Sequence, residues 1–424
     1  MQDEERDQER PDARVIVREA MLALVVGVGA TAMPVAVLVV ARAVADFLYE
    51  TLPSALGFAG DARWWIGSVL TVAGITVGLV VWLVPGHAGR DSATAGLIGP
   101  PIPLRVLPSL LLALVVALGA GVGLSPENVL ISVNAALAVW VVARVGPALA
   151  SARVAALAPA AAIGGPGGTP VAAPLAYLEL TGRRVQGNLW DAILAPLVAA
   201  GAGAVTMAVL DRPVLALDLP GYATVTVWAV LGGVAIATVT AVTVLGAVYA
   251  YRTLHASFHR LRNPVLMTGL GGVVLGLLGA LGGRESMFRD IGTMRDVVAS
   301  APETSVPRLL VLGGCSLAAF AVAASSGFRG GRVIASAAVG VTAGMIGHAL
   351  VPGVPVPPAI ACGVLGAIVV AVRSCWLGIF VPVAMVGSVT VLPILCLAVL
   401  PVWLLVKNRP TMTVRLPRGS PDDR

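Results

Sequence analysis

A carboxylate stands alone in a Gly-rich stretch between apolar segments: Glu127, in Ser125-Pro126-Glu127-Asn128 at the end of GAGVGLSPEN (119–128). An ionisable group at membrane depth is costly and usually functional. A helix N-terminus presents unpaired N–H groups and a partial positive charge, so it attracts anions. A carboxylate beside such an end can occupy the anion site, then leave when it is protonated or when a free anion competes. A helix cap that never meets a pore is the other reading, and both stand at this point. A second break, AASSGFRGGR (323–332), carries Arg329 and Arg332. A guanidinium there either draws anions to a pore mouth or snorkels to lipid headgroups; Arg332 suits the first role better than Arg329. Each break leads into small apolar residues, VLISVNAALAVWVVAR (129–144) and VIASAAVGVTAGMIG (333–347). These predict helices that start within the membrane. Two such starts converging from opposite halves would make a central anion site from backbone alone, without a metal or a catalytic side chain.

The remaining chemical groups are expected to be structural. Glu179 precedes Thr181-Gly182-Arg183-Arg184 and is expected to form an ion pair with those arginines. His255 and His259 share a helical face next to Arg260 and Arg262, as on a solvated helix end. Cys315, Cys362, Cys375 and Cys396 lie in apolar segments, with neither a CxxC pair nor a metal-site spacing, so they read as small buried hydrophobes and no cofactor is expected.

The elements that must hold these residues are membrane helices. Charged residues are 12% of the chain, against roughly 25% in an average soluble protein. Apolar residues reach 58% and the mean hydropathy is +0.92. Stretches such as 20–41, 64–84, 264–281 and 389–406 approach the ~20 residues needed to cross a bilayer. The net charge of +6 is concentrated in short polar gaps (Arg252, Arg260 and Arg262; Lys407, Arg409, Arg415 and Arg418), which points to the cytoplasmic face and not to nucleic acid. The mixed-charge segment 1–19 is too polar and too acidic for a secretory signal peptide, so the first apolar segment is expected to be retained as a helix; both termini are expected in the cytoplasm.

Long helix, second apolar segment, shorter helix, Gly-rich break and small-residue helix recur in the same order in both halves. Broken helices at matching places mark a transporter built from inverted repeats. The expected organisation is a polar segment 1–19, a membrane repeat 20–210, a linker 211–221, a second repeat 222–406 and a polar tail 407–424.

The chain resembles the ClC family of chloride channels and anion/proton antiporters, and within it the divergent YfeO-type bacterial ion-transport branch, over roughly residues 20–406. The family's G(K/R)EGP segment is similar to Ser125–Val129, with the gating glutamate kept as Glu127. Its GSGIP segment is similar to His87–Asp91, which puts Ala88 in place of the anion-binding serine, next to Gly89. Its GxFxP segment is similar to Gly331–Ala335, whose Val333 and Ile334 would offer helix-start amides to an anion. The pore tyrosine aligns with Ser388 and the inner proton-relay glutamate with Leu180, beside Glu179. GHAG (86–89), RNPVL (262–266) and SGFRGGR (326–332) look like features of the YfeO-type branch.

The resemblance implies an all-α polytopic fold of two inverted-topology repeats with short broken helices, as a homodimer in a bacterial-type plasma (inner) membrane. It further implies a path for small inorganic anions such as chloride near Gly89, Ser125, Glu127, Asn128 and Val333, gated by Glu127, with Arg332 adding positive potential. Channel and proton-coupled exchanger both stay open, with Leu180 leaning towards the channel. Two rivals are weighed. A transport-inactive accessory subunit would keep only the fold. A membrane enzyme would need clustered acids or a His/Asp pair at one face, and the sequence offers neither.

Overall fold

The computed structural model describes residues 13–99, 101–145, 154–165, 169–182, 188–210, 215–287 and 291–414. Arg183, Arg184, Arg415, Arg418, most of segment 1–19 and linker residues 211–214, on which some of the expectations above fall, lie outside the described residues. The first half runs through α1 (Ala13–Asp46), α2 (Leu52–Leu56), α3 (Arg63–Leu83), α4 (Leu107–Gly119), α5 (Glu127–Val145), α6 (Val154–Gly164), α7 (Ala172–Thr181) and α8 (Leu189–Val209). The second runs through α9 (Val227–His259), α10 (Pro264–Gly282), α11 (Ile291–Ser300), α12 (Val306–Ser325), α13 (Val333–Leu350), α14 (Val356–Val372), α15 (Cys375–Val386) and α16 (Leu392–Val406). Among the described residues, nine helices are long and apolar enough to cross a membrane.

Local chemistry explains where these helices begin. Asn263 caps α10 by accepting from the amides of Val265 and Leu266, and Pro264 takes the first position, where a missing N–H costs nothing. Thr226 caps α9 through the amide of Ala229, and Ser374 caps α15 through that of Leu377. The outward faces are apolar, with Trp228, Val239, Leu397 and Leu404 all exposed. In water such faces would be a liability; against lipid they cost nothing.

The two halves repeat with fixed spacing around the breaks. α4 ends at Gly119 and α12 at Ser325; Gly121 and Gly327 both have positive φ; α5 starts at Glu127 and α13 at Val333. The interval between partners is the same in all three pairs. The equivalent helices α3 and α10 pack face to face, and they run in opposite directions. Gly67 meets Gly276, Gly74 meets Gly272 and Gly78 meets Val265. A Cβ at Gly272 would lie 2.4 Å from the Leu70 carbonyl oxygen, so only glycine permits this approach. The expected inverted-repeat helical fold is the one the chain adopts.

Candidate functional site

The two breaks cross. Ser125 and Gly331 form an isolated antiparallel bridge, with the Ser125 amide 3.3 Å from the Gly331 carbonyl oxygen and the Gly331 amide donating back to Ser125. Each of these residues lies two positions before its helix, so the bridge joins equivalent points of the two halves. It sets the starts of α5 and α13 side by side.

The first residue of α5 then caps the other helix. Glu127 Oε1 accepts the Ile334 amide at 2.9 Å, and Ser125 Oγ accepts the Ala335 amide at 3.4 Å. Amides of the first turn of a helix have no partner within it. Here they receive a carboxyl oxygen and a hydroxyl from the opposite half. Glu127 Oε2 is buried without a hydrogen-bond partner and lies against Gly331, where a Cβ would come within 2.4 Å of it. Gly331 therefore provides the space that the carboxylate fills. Chemically, a carboxyl group occupies the amides of a helix N-terminus, a place that suits an anion.

Both break arginines are buried, so neither snorkels. Arg332 is 5% exposed and donates through Nη2 to the carbonyls of Ser92 and Ala95, at 2.8 and 2.5 Å. Arg329, which the sequence ranks second, is 6% exposed and has a more extensive structural role. Its guanidinium donates to the carbonyls of His87 (3.1 Å), Ala88 (3.0 Å), Gly89 (2.9 Å) and Gly327.

Those first three carbonyls belong to an unusual turn. Gly86, His87, Ala88 and Gly89 have φ of 92°, 50°, 53° and 57°, four left-handed residues in succession. Left-handed backbone costs about 1–2 kcal/mol at each residue that carries a Cβ. Hydrogen bonds to a charged partner contribute about 1.5–3 kcal/mol each, so the Arg329 guanidinium can hold the turn. The resemblance puts Ala88 in place of the anion-binding serine and an anion near Gly89, and the local backbone there is this turn. No helix begins there. The Gly89 amide donates to Gly86 O at 3.1 Å, the Ala88 amide to Ser109 Oγ at 3.1 Å, and Ala88 is fully buried. The turn presents carbonyls instead of amides, and to a cation.

Two cavities flank the crossing. One, of about 800 Å³, is lined by residues that include His87, Arg90, Arg105, Asn128 and Ser132. The other, of about 210 Å³, is lined in part by Asn128, Leu180, Arg332, Val333, Thr411 and Thr413. Asn128, next to Glu127, borders both. Ser388 borders neither; its hydroxyl donates to the Tyr222 carbonyl at 3.0 Å. The hydroxyls on the small cavity are those of Thr411 and Thr413, because the chain after α16 folds back: Val414 N donates to Ala93 O at 2.9 Å, and Arg373 donates to Arg409 O at 2.9 Å. The only sequence signal for this was a pair of threonines following Pro410.

Glu179 caps a helix as well. Its carboxylate accepts from the Ser374 hydroxyl (2.6 Å) and from the amides of Cys375 (2.9 Å) and Trp376 (3.4 Å) at the start of α15. The expected partners Arg183 and Arg184 lie outside the described residues. The end of α9 also departs from expectation. His259 Nε2 lies 3.3 Å from Asp91 Oδ2, so the fold brings together the His/Asp pair that the sequence keeps far apart. Burial alone would raise the Asp91 pKa, but the hydrogen bond with His259, the Arg329 charge and the Thr94 hydroxyl hold it well below the usual carboxylate range.

With this geometry, the family can be assigned by comparison. The family model described as voltage gated chloride channel matches residues 73–403. The chain belongs to that family. It is 38% identical over 411 residues to the candidate ion-transport protein YfeO of Escherichia fergusonii, covering 97% of this chain and 98% of the relative, and equally similar to YfeO of Escherichia coli. Among solved structures it is similar to a CLC-type fluoride/proton antiporter (TM-score 0.67, 19% identity, 95% of this chain and 98% of that one). It is also similar to a eukaryotic CLC transporter (0.70, 16%, 94% and 73%) and a slow cyanobacterial Cl−/H+ antiporter (0.69, 16%, 94% and 96%). This ClC chain is thus a multi-pass membrane protein of an ion-transport family.

Proposed function

We propose that this ClC protein carries small inorganic anions of the chloride and fluoride class across the bilayer, along a path through the start of α13, with Glu127 as the gate. The observation that carries the reading is the 2.9 Å hydrogen bond from the Ile334 amide to Glu127 Oε1. The carboxylate stands where an anion would be held, and protonation or competition removes it. Asn128 on both cavities, Val333 and Arg332 on the smaller one, and Ser125 beside the amides extend the path on either side. The names of the fluoride/proton and Cl−/H+ antiporters support the choice of anion. Leu180 on the small cavity, where a proton relay would need an acid, and Glu179 engaged as a helix cap favour uncoupled conduction over exchange. In this reading the two repeats are residues 20–210 and 222–406, each subunit of a homodimer has its own pore, and both termini face the cytoplasm of a bacterial inner membrane.

The test is efflux of chloride, fluoride, nitrate and bicarbonate from liposomes holding the purified full chain, from pH 4 to 8, with and without a proton gradient. Wild-type flux is expected to rise as pH falls, and Glu127→Gln to conduct almost independently of pH. A variant with the full wild-type pH dependence removes Glu127 as the gate. A wild type that moves none of the four anions favours the accessory-subunit reading.

A further inference from the structure

Three ligand-bearing side chains outside the anion path converge at the end of α9. His255 and His259 lie about one turn apart on that helix, and Asp91 reaches them from the segment after the left-handed turn. One ligand atom from each lies within 4.8 Å of the other two. The separation of His259 Nε2 from Asp91 Oδ2, 3.3 Å, is long for a charge-assisted hydrogen bond, which falls near 2.7–2.9 Å. It fits the edge of a tetrahedral metal site. Zinc bonds of about 2.0–2.2 Å to nitrogen and oxygen, spread at the tetrahedral angle, set neighbouring ligand atoms roughly 3.3 Å apart.

The atoms not facing this point are already committed. His259 Nδ1 donates to the His255 carbonyl at 3.0 Å, so Nε2, which faces Asp91, is the nitrogen that would give up its proton to a metal. Asp91 Oδ1 accepts the Thr94 amide at 3.0 Å and the Thr94 hydroxyl at 2.7 Å, which leaves Oδ2 for another partner. His255 Nδ1 is buried without a hydrogen-bond partner, and the two imidazole centroids are 3.7 Å apart. Each residue therefore turns one potential ligand atom towards the other two.

We propose that Asp91, His255 and His259 bind a divalent transition metal of borderline softness, with zinc as the type case and a fourth position open to solvent. Two imidazoles and one carboxylate form a donor set that zinc accepts. The Arg329 charge acts on Asp91 and His259 and opposes a cation, which keeps affinity below that of an all-cysteine structural site. The site joins the end of α9 to the second break, because Ser92, next to Asp91, donates its hydroxyl to Phe328 O and Gly330 O, both at 2.9 Å. A bound ion would tie these elements together.

The full chain, purified in detergent and stripped with chelator, is titrated with zinc chloride by calorimetry, and bound zinc is counted by elemental analysis. One zinc per chain is expected for the wild type, with a rise in thermal midpoint. His255→Gln, His259→Gln and Asp91→Asn should each weaken binding at least tenfold, whereas His87→Gln and His348→Gln should bind as the wild type does. Should Asp91→Asn fail to fold, the two histidine variants decide the question, since His259 is exposed. A wild type that binds no zinc, or histidine variants that bind it undiminished, overturns the site. Neither readout requires transport, so the outcome is independent of the proposed function.

Discussion

Glu127 and Ile334 are joined by a hydrogen bond of 2.9 Å across 207 positions of sequence, from the first turn of α5 to the first turn of α13. The same device recurs where Glu179 accepts the amide of Cys375 at 2.9 Å. Both are first-half carboxylates capping second-half helices. One differs from the other in having a buried oxygen with no partner and a glycine in front of it.

That glycine provides a test that leaves the glutamate in place. Gly331→Ala puts a Cβ at 2.4 Å from Glu127 Oε2, against a backbone held by the Ser125 bridge. The carboxyl group has to shift, and the expected shift is away from the α13 amides. Anion flux at pH 7–8 is therefore expected to rise towards the Glu127→Gln level. Unchanged flux and unchanged pH dependence would mean that the position of the carboxylate does not limit conduction.

Arg329 should matter for stability more than for selectivity. Arg329→Ala leaves the carbonyls of residues 87, 88, 89 and 327 without their charged donor and the left-handed turn unsupported. Each buried carbonyl left without its donor costs about 1–3 kcal/mol. Arg329→Lys should recover little of it, because an ammonium cannot match the planar fork that reaches these oxygens. Thermal unfolding in detergent reads both variants.

Arg332 gives the complementary case. It borders the small cavity, so Arg332→Gln should lower anion flux most at low salt, where screening is weakest. Flux indifferent to both the substitution and the ionic strength would reduce Arg332 to an anchor for Ser92 and Ala95.

Asp91 makes a pH prediction with a definite sign. Its pKa is depressed in the fold, so its stabilisation is fully present above the unfolded value, about 3.9, and is lost as pH falls through the lower folded value. Asp91→Asn should therefore melt below the wild type at pH 7, and the gap should narrow only beneath about pH 4. Thermal midpoints of both proteins across that range measure it, and a gap that closes near neutral pH would contradict the assignment.

The side-sharing of the polar segments can be probed with cysteines. Asp91 meets His259, and the backbone at Val414 meets Ala93, so the turn, the end of α9 and the returning C-terminal segment share one face. His87→Cys and Arg260→Cys, both at exposed positions, should label together from inside-out vesicles with an impermeant thiol reagent, and neither from intact cells. Opposite labelling of the two would break the shared face.

The fold was legible because hydropathy and Gly-rich breaks are local signals, and both sit at matching positions in the two halves. Glu127 was legible for the same reason: a lone carboxylate among apolar residues stands out by its cost. The left-handed turn was not, since Ala88 disfavours positive φ, His87 tolerates it only somewhat better, and both are held by a guanidinium some 240 positions away. Thr411 and Thr413 were missed because only the fold-back after α16 brings a polar tail to the cavity. The Asp91–His259 pair escaped for a similar reason, as neither residue has a neighbour in sequence that announces the other.

The bridge between Ser125 and Gly331 also has a consequence for synthesis. A ribosome adds about 5–20 residues per second, so roughly 10–40 s separate the emergence of Glu127 from that of Ile334, 207 positions later. During that interval the nascent first half holds a carboxylate whose amide donors do not yet exist, and α3 has no α10 glycines to pack against. Insertion and assembly are therefore out of step by construction. The half-made chain carries Glu127 without its amide partner until α13 is made, and a message cut short before residue 333 would leave it so.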